Sequence, residues 1–320
     1  MLDRSFIRQS AAAAGFDLCG VAPCRHLVRN EQFFRRWLGD GRHASLGYLE
    51  RNLDKRFDVR RLVEGAQTVV VCAVGYKNGL SDGYPDDFRA KIASYALTAD
   101  YHATIKGMLG DLFGRLRAAE PALAGRAFVD SAPLVEKQLA VEAGLGWIGR
   151  QSLLVTPRFG SFVLLGELVL DAACDRYDEP LAGAGCGSCR RCVEACPTGA
   201  VCNDRAIDAR RCISCHTIER TPAAEIALDG WIFGCDACQS RCPYNLRAPL
   251  HLHPAFDPLF DPLSFPPERW LAMEEAEFRT SFGRTPLMRS GLRRLQANAA
   301  QNLRRFTSSC PQMSERSPLA

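Results

Sequence analysis

The stretch Cys186-Gly187-Ser188-Cys189-Arg190-Arg191-Cys192-Val193-Glu194-Ala195-Cys196-Pro197 spaces four cysteines as C-x2-C-x2-C-x3-C and closes on a proline. With this spacing three thiolates can hold three irons of one cubane cluster. The fourth, displaced by a turn and fixed by Pro197, points at a neighbouring cluster. A structural zinc site would pair its cysteines without this triple-plus-one pattern. Downstream, Cys235, Cys238, Cys242 and Pro243 repeat the last three positions of the run, and Cys212 can supply the missing ligand across an insertion. Cross-ligation then groups Cys186, Cys189 and Cys192 with Cys242 for one cluster, and Cys212, Cys235 and Cys238 with Cys196 for the other. The expected cofactors are two [4Fe–4S] clusters.

Ten of the fifteen cysteines lie between Cys186 and Cys242, which in a reducing compartment reads as metal binding rather than as disulfides. Two of the ten are left over. Cys202 reads as a packed thiol, whereas Cys215, three residues after Cys212, competes with it as a ligand. His216 next to it reads equally as a cofactor contact or as a surface histidine. Cys19, Cys24, Cys72, Cys174 and Cys310 are scattered and read as free thiols.

The 320 residues exceed one average domain, so a catalytic body with an attached module is expected. No apolar stretch approaches the roughly 20 residues that span a bilayer, and no secretory pattern opens the chain. Cytoplasmic location, no membrane association and a monomer are the expectations. The net charge is +4, but seven arginines and no acidic residue fall between Phe278 and Ser314. Such a field faces phosphate or lies as a solvated face.

Ser5 to Gly15 reads as a helix, Phe16 to Val21 as a turn and strand, and Glu31 to Leu38 as a helix packing Phe33, Phe34, Trp37 and Leu38. Val69 to Tyr76, an almost continuous apolar run, is a buried strand. Ala90 to Ala119 predicts one or two helices, and Arg126 to Val129 another strand. Asp130 follows it, before Ser131, Ala132 and Pro133. A carboxylate there reads as a functional side chain or as a cap for the helix that carries Glu136 in its first turn. Gly144, Gly146 and Gly149 frame Trp147 and Ile148 in a close-approach loop that does not fit a dinucleotide fingerprint. Gln151 to Val155 and Ser161 to Leu170 predict a hairpin across Pro157 to Gly160. The fold class is α+β: an N-terminal α/β body, a ferredoxin-like two-cluster module and a helical basic C-terminal segment. The expected divisions are 1–178, 179–250, 251–306 and a disordered 307–320.

Clusters move electrons singly, and no flavin or nicotinamide motif is present to receive them. Here a resemblance extends the reading. The stretches Gly47-Tyr48-Leu49-Glu50-Arg51-Asn52, Lys55-Arg56-Phe57-Asp58, Asp100-Tyr101-His102, Val129-Asp130-Ser131-Ala132-Pro133, Gly144-Leu145-Gly146-Trp147-Ile148-Gly149, Asp208-Ala209-Arg210-Arg211-Cys212-Ile213-Ser214 and Ile232-Phe233-Gly234-Cys235-Asp236 resemble the epoxyqueuosine reductases. These are cobalamin-dependent iron–sulfur enzymes of tRNA queuosine synthesis. The resemblance runs from about Phe6 to Asn298. It implies that the N-terminal body binds cobalamin, that the clusters feed it electrons from an unidentified low-potential donor, and that a tRNA anticodon stem-loop presents the wobble nucleoside. The epoxide of epoxyqueuosine is then reduced to the alkene. The family's D-[ST]-x-P aspartate falls on Asp130 as the proton donor, which a carboxyl can be only while protonated. Arg56, Tyr95, Tyr101, His102, Ser152 and Ser214 become expected cofactor contacts, with Asp130 beside them. Arg284, Arg289, Arg293 and Arg294 become expected tRNA contacts.

Departures from the family pattern stand at Arg150-Gln151, where Lys-Asn is usual, and at Cys215-His216, where Tyr-Leu is usual. A third is the degenerate Ala297-Asn298-Ala299-Ala300-Gln301-Asn302 near the end. The alternatives are a reductive dehalogenase-like corrinoid enzyme and a non-enzymatic two-cluster electron carrier.

Overall fold

The computed structural model describes residues 1–219 and 226–309, of which 305–309 are described by backbone alone. In chain order the helices and strands begin α1 (Arg4–Ala13), β1 (Leu18–Pro23), α2 (Val28–Gly39), α3 (Leu53–Arg56), β2 (Thr68–Gly75), β3 (Lys91–Ile92) and α4 (Tyr101–Ala119). They continue with β4 (Gly125–Phe128), α5 (Glu136–Glu142), β5 (Trp147–Ile148), β6 (Leu154–Val155), β7 (Val163–Leu170), α6 (Arg191–Glu194) and α7 (Ile213–Ile218). The chain ends with β8 (Trp231–Phe233), α8 (Ala237–Ser240), α9 (Pro243–Arg247), α10 (Pro267–Ala272), α11 (Glu275–Phe282) and α12 (Leu292–Ser309). Among the described residues no helix is long and apolar enough to cross a membrane.

The body is a four-stranded sheet in the order β1-β2-β7-β4, antiparallel throughout. Every residue of β2 is buried, as its apolar run requires. Side chains of alternate sign along the strands enter two cores. One face packs α1 and α4 through Ile7, Ile105, Leu109 and Phe162. The other packs α5 and the Phe57 region through Leu139, Ala140 and Val169. Helix starts follow their caps: the Asp3 carboxylate accepts from the Phe6 N–H, and the Asp100 carboxylate from the His102 N–H.

Three expectations are corrected. The hairpin between the strands around Leu154 and Leu165 does not form: β6 pairs with β5, whereas β7 pairs with β2 and β4. Thr156 and Gly160 still bridge, but Gly160 (φ +58°) sits where a Cβ would fall 2.0 Å from Asn245 Oδ1. That close approach to α9 turns the chain away. The helix expected from Ala90 is preceded by β3, which pairs in parallel with β8. On α2, Phe34 packs on Phe57 and Trp37 donates to the Ile207 carbonyl, but Phe33 stays 39% exposed.

The C-terminal segment is not a loose basic tail. Trp270, Phe278, Phe282 and Leu295 build a third core with Ile92, Leu97, Ile232 and Phe233, so body, cluster module and C-terminal helices share it. The helix α12 runs through Ser309, three residues into the stretch expected to be disordered; residues 310–320, Cys310 among them, lie outside the described residues.

Candidate cofactor and active site

The cysteine runs place thiols on short helical starts. Cys212 caps α7, and Cys242 caps α9 with Pro243 at its first position. Electrostatic proximity links the thiols to one another. Burial raises the Cys192 thiol above its ordinary value, and next in weight come its neighbours Cys186, Cys242 and Cys189. Burial likewise raises Cys238, followed by Cys212, then Asp236 and Cys196. Cys235 feels Cys238 and Cys212, and Cys212 feels Cys196. Cys238 also feels Cys192 of the other expected set, so the thiols of the module lie close together across both sets. Against its burial, Cys196 is held below the ordinary thiol value by N–H groups of Val201, Thr198 and Ala200 and by the Thr198 hydroxyl. Such donors suit a thiolate ligand.

The leftover residues separate. Cys202 points its sulfur at the Ala200 carbonyl, as a packed thiol does. Cys215 is buried and pushed up to about 11 by that burial, then by Cys212 and Glu219. His216 Nε2 meets the Arg210 carbonyl at 2.8 Å, which holds it to its own loop.

A mostly apolar cleft of about 290 Å³ lies against the second thiol set, lined by Trp37, Leu46, Ile207, Cys212, Ser214 and Cys215. From the body, Tyr48 lies within electrostatic reach of Glu219 and Cys215 on the cleft wall. Its hydroxyl is pushed above its ordinary value by burial, and it also feels Glu219, Arg289, Asp130 and Cys215. Tyr95 feels Asp236, Asp130, Arg289 and Glu219 in the same way. Residues from body, cluster module and C-terminal segment thus converge on Asp130.

Asp130 leaves β4 with φ +51°, and the Ser131 N–H closes on the Val129 carbonyl at 2.5 Å around it. This is a γ-turn at positive φ, a strained conformation that aspartate tolerates better than most residues. Its Oδ2 accepts from Tyr101 Oη at 2.8 Å and stands 3.5 Å from His102 Nε2, with the His102 ring stacked on Tyr101. Its backbone N–H donates to Glu136 Oε1 at 2.5 Å. Ser152 also has positive φ (+62°), and its carbonyl accepts from Lys137 Nζ at 2.6 Å.

Of the expected site residues, Asp130, Tyr95, Tyr101 and His102 come together around one point. Ser214 lines the cleft, and Arg56 lies near Tyr48, over the Phe34 ring. The four expected tRNA arginines divide. Arg289 is ion-paired with Glu219, and Arg294 donates to the Ile218 carbonyl at the end of α7. Arg284 and Arg293 are exposed. The sequence reading named Glu136 only as a first-turn residue of α5 and did not single out Lys137, Glu167 or Glu219. A glutamate inside the apolar strand Val163–Leu170 was the available signal for Glu167.

The family model described as "Epoxyqueuosine reductase QueG, DUF1730" matches residues 56–131, and a "4Fe-4S double cluster binding domain" matches residues 185–245. An epoxyqueuosine reductase of Cyclobacterium marinum is 39% identical over 302 residues, 91% of this chain and 94% of that protein. The chain belongs to the epoxyqueuosine reductase family. Among solved epoxyqueuosine reductases, one with a tRNA-Tyr epoxyqueuosine-modified stem loop matches with a TM-score of 0.84 at 26% identity, over 96% of this chain and 82% of that one. That of Bacillus subtilis, with its catalytic aspartate loop swung out of the active site, matches with a TM-score of 0.80 at 26% identity over the same shares.

As an epoxyqueuosine reductase the chain performs that type of reduction with cobalamin and [4Fe–4S] clusters, and the dehalogenase and carrier alternatives are set aside. Its residues fit both groups. The cysteine-rich module at 185–245, with N–H donors on the Cys196 sulfur, suits cubanes. Among the described residues Arg56 Nε and Gln151 Nε2 are buried without hydrogen-bond partners and offer donors of the kind that the amide carbonyls around a corrin accept.

Proposed function

We propose that this epoxyqueuosine reductase acts on the wobble nucleoside of a tRNA anticodon stem-loop, with Asp130 as the proton donor to the departing epoxide oxygen. The observation that carries the reading is the placement of the Asp130 carboxyl on a strained turn where body, cluster module and C-terminal segment converge. Reducing an epoxide to an alkene and water takes two electrons and two protons. Cobalamin, when bound, supplies the electrons at the ring carbon, and Cys186, Cys189, Cys192, Cys242 and Cys196, Cys212, Cys235, Cys238 hold the clusters behind it. Tyr101 and His102 aim the Asp130 carboxyl and limit its freedom. Arg56, Tyr95, Ser152 and Ser214 would contact a bound corrin, and the mostly apolar cleft wall would limit water at the reacting carbon.

Two relatives support this reading: one was solved with a modified stem loop, the other with its catalytic aspartate loop displaced, as a turn under strain would allow. Dense cluster thiolates suit a cytoplasmic monomer supplied by a low-potential donor. Asp130→Asn keeps shape and hydrogen bonds but cannot donate this proton. It retains iron and corrinoid and loses roughly 10²-fold or more in turnover of epoxyqueuosine stem-loop, read by nucleoside mass. Wild-type-like turnover would sink the assignment.

A further inference from the structure

Glu167 sits in the middle of β7, opposite Val71 on β2 and Phe128 on β4, and is completely buried. Neither of its carboxyl oxygens has a hydrogen-bond donor among the described residues. The group within its reach is another carboxyl, that of Glu136 in the first turn of α5. Two carboxylates cannot bond to each other as anions, so a hydrogen bond between them requires a shared proton. Glu136 is in turn the acceptor for the backbone N–H of Asp130. Glu136 therefore stands between the buried Glu167 and the main chain of Asp130.

We propose that Glu136 and Glu167 form a proton-holding pair that recharges Asp130 after each donation. The inference rests on Asp130 being the donor. In the first step the Asp130 O–H bond breaks and an O–H bond forms on the departing oxygen. In the second, the Glu136 O–H bond breaks and that of Asp130 re-forms. Glu167 keeps its own proton and donates it as a hydrogen bond to the Glu136 carboxylate. Glu136 is only partly buried and regains its proton from solvent. The electrons are those of the clusters and do not pass through the pair.

The charges facing the pair keep protons on it. Glu136 is pushed up to about 7 by burial and by Asp130, against Lys137 on its own helix. Glu167 is raised further by burial, by Glu136 and by Asp130. Tyr101 on α4 and Cys72 on β2 face the cluster without adding positive charge. A proton on Glu136 is thus present below about pH 7 and lost above it.

The test uses the full chain loaded with clusters and cobalamin. Glu136→Gln keeps the acceptor for Asp130 N–H but has no proton to pass, and is expected to lower kcat about ten-fold or more with KM, iron and corrinoid unchanged. Glu167→Gln replaces the O–H that stabilises the Glu136 carboxylate with a weaker amide N–H donor, and is expected to move the alkaline limb of the kcat profile to higher pH. Infrared titration of the wild type should show a neutral carboxylic acid C=O band lost through neutral pH and missing in Glu136→Gln; this holds even if Glu167→Gln fails to fold. Wild-type kcat and pH profile in Glu136→Gln, with Asp130→Asn inactive, overturn the relay alone. Asp130→Asn with full turnover overturns the donor reading and the relay with it. The absence of a titrating carboxylic acid band overturns the pair directly.

Discussion

At the scale of single residues, the cysteine run was the part most open to reading, because ligand spacing is local and the chemistry needs a fixed number of thiolates. Cys215 was the ambiguity. It lies near Cys212 and is buried beside the cleft, but the thiols that feel one another across the module are Cys196, Cys212, Cys235 and Cys238. Cys212→Ala is therefore expected to lose about half the iron of the anaerobically purified chain, whereas Cys215→Ala retains it. Iron and sulfide assays decide, and iron loss in Cys215→Ala would reverse the assignment. Asp130 was legible as a position but not as a geometry, since a γ-turn of positive φ leaves no pattern in Asp-Ser-Ala-Pro. Glu167 was visible as a charge in an apolar strand, yet only the fold puts Glu136 against it.

At the scale of elements, the apolar run marked β2, and helices were expected over the α4 region and the C-terminal segment, but nothing in the pattern could choose strand partners. The apolar run of β7 is the same whether it pairs with β6 or with β2 and β4, and the choice is made by the docking of Gly160 on Asn245. The two-residue β3 is too short for any periodic signal. The degenerate asparagine stretch near the end acquires a structural role on α12. Asn298 Nδ2 donates to the Thr217 and Ile232 carbonyls, and Asn302 Nδ2 to those of Arg89 and Trp231, so one helix face clasps β8 and α7. Asn298→Ala leaves two buried carbonyls without this donor and is expected to cost about 1–3 kcal/mol. A lower urea midpoint with unchanged m-value would show it, and an unchanged midpoint would remove the clasp from the account.

At the scale of the whole molecule, the site is a product of convergence, and residues as distant in sequence as Tyr48, Asp130, Glu219 and Arg289 share one electrostatic neighbourhood. No local pattern could announce that, and it changes the meaning of the arginine field. The sequence treats Arg284, Arg289, Arg293 and Arg294 alike. In the fold Arg289, though exposed, balances Glu219 and Arg294 satisfies the Ile218 carbonyl, whereas Arg284 and Arg293 are exposed without such an ion pair to a carboxylate among the described residues. If a tRNA stem-loop docks over this face, its phosphates meet those two first. Neutralising Arg284 and Arg293 together to Gln should weaken stem-loop binding and reduce the slope of log Kd against log salt by about 0.7 to 0.9 per arginine. Arg294→Gln should leave that slope unchanged and lower the urea midpoint, because its loss falls on α7. Binding measured across a salt series separates the two kinds of arginine. Equal slopes for wild type and the Arg284/Arg293 double variant would move the nucleic-acid surface elsewhere on the molecule.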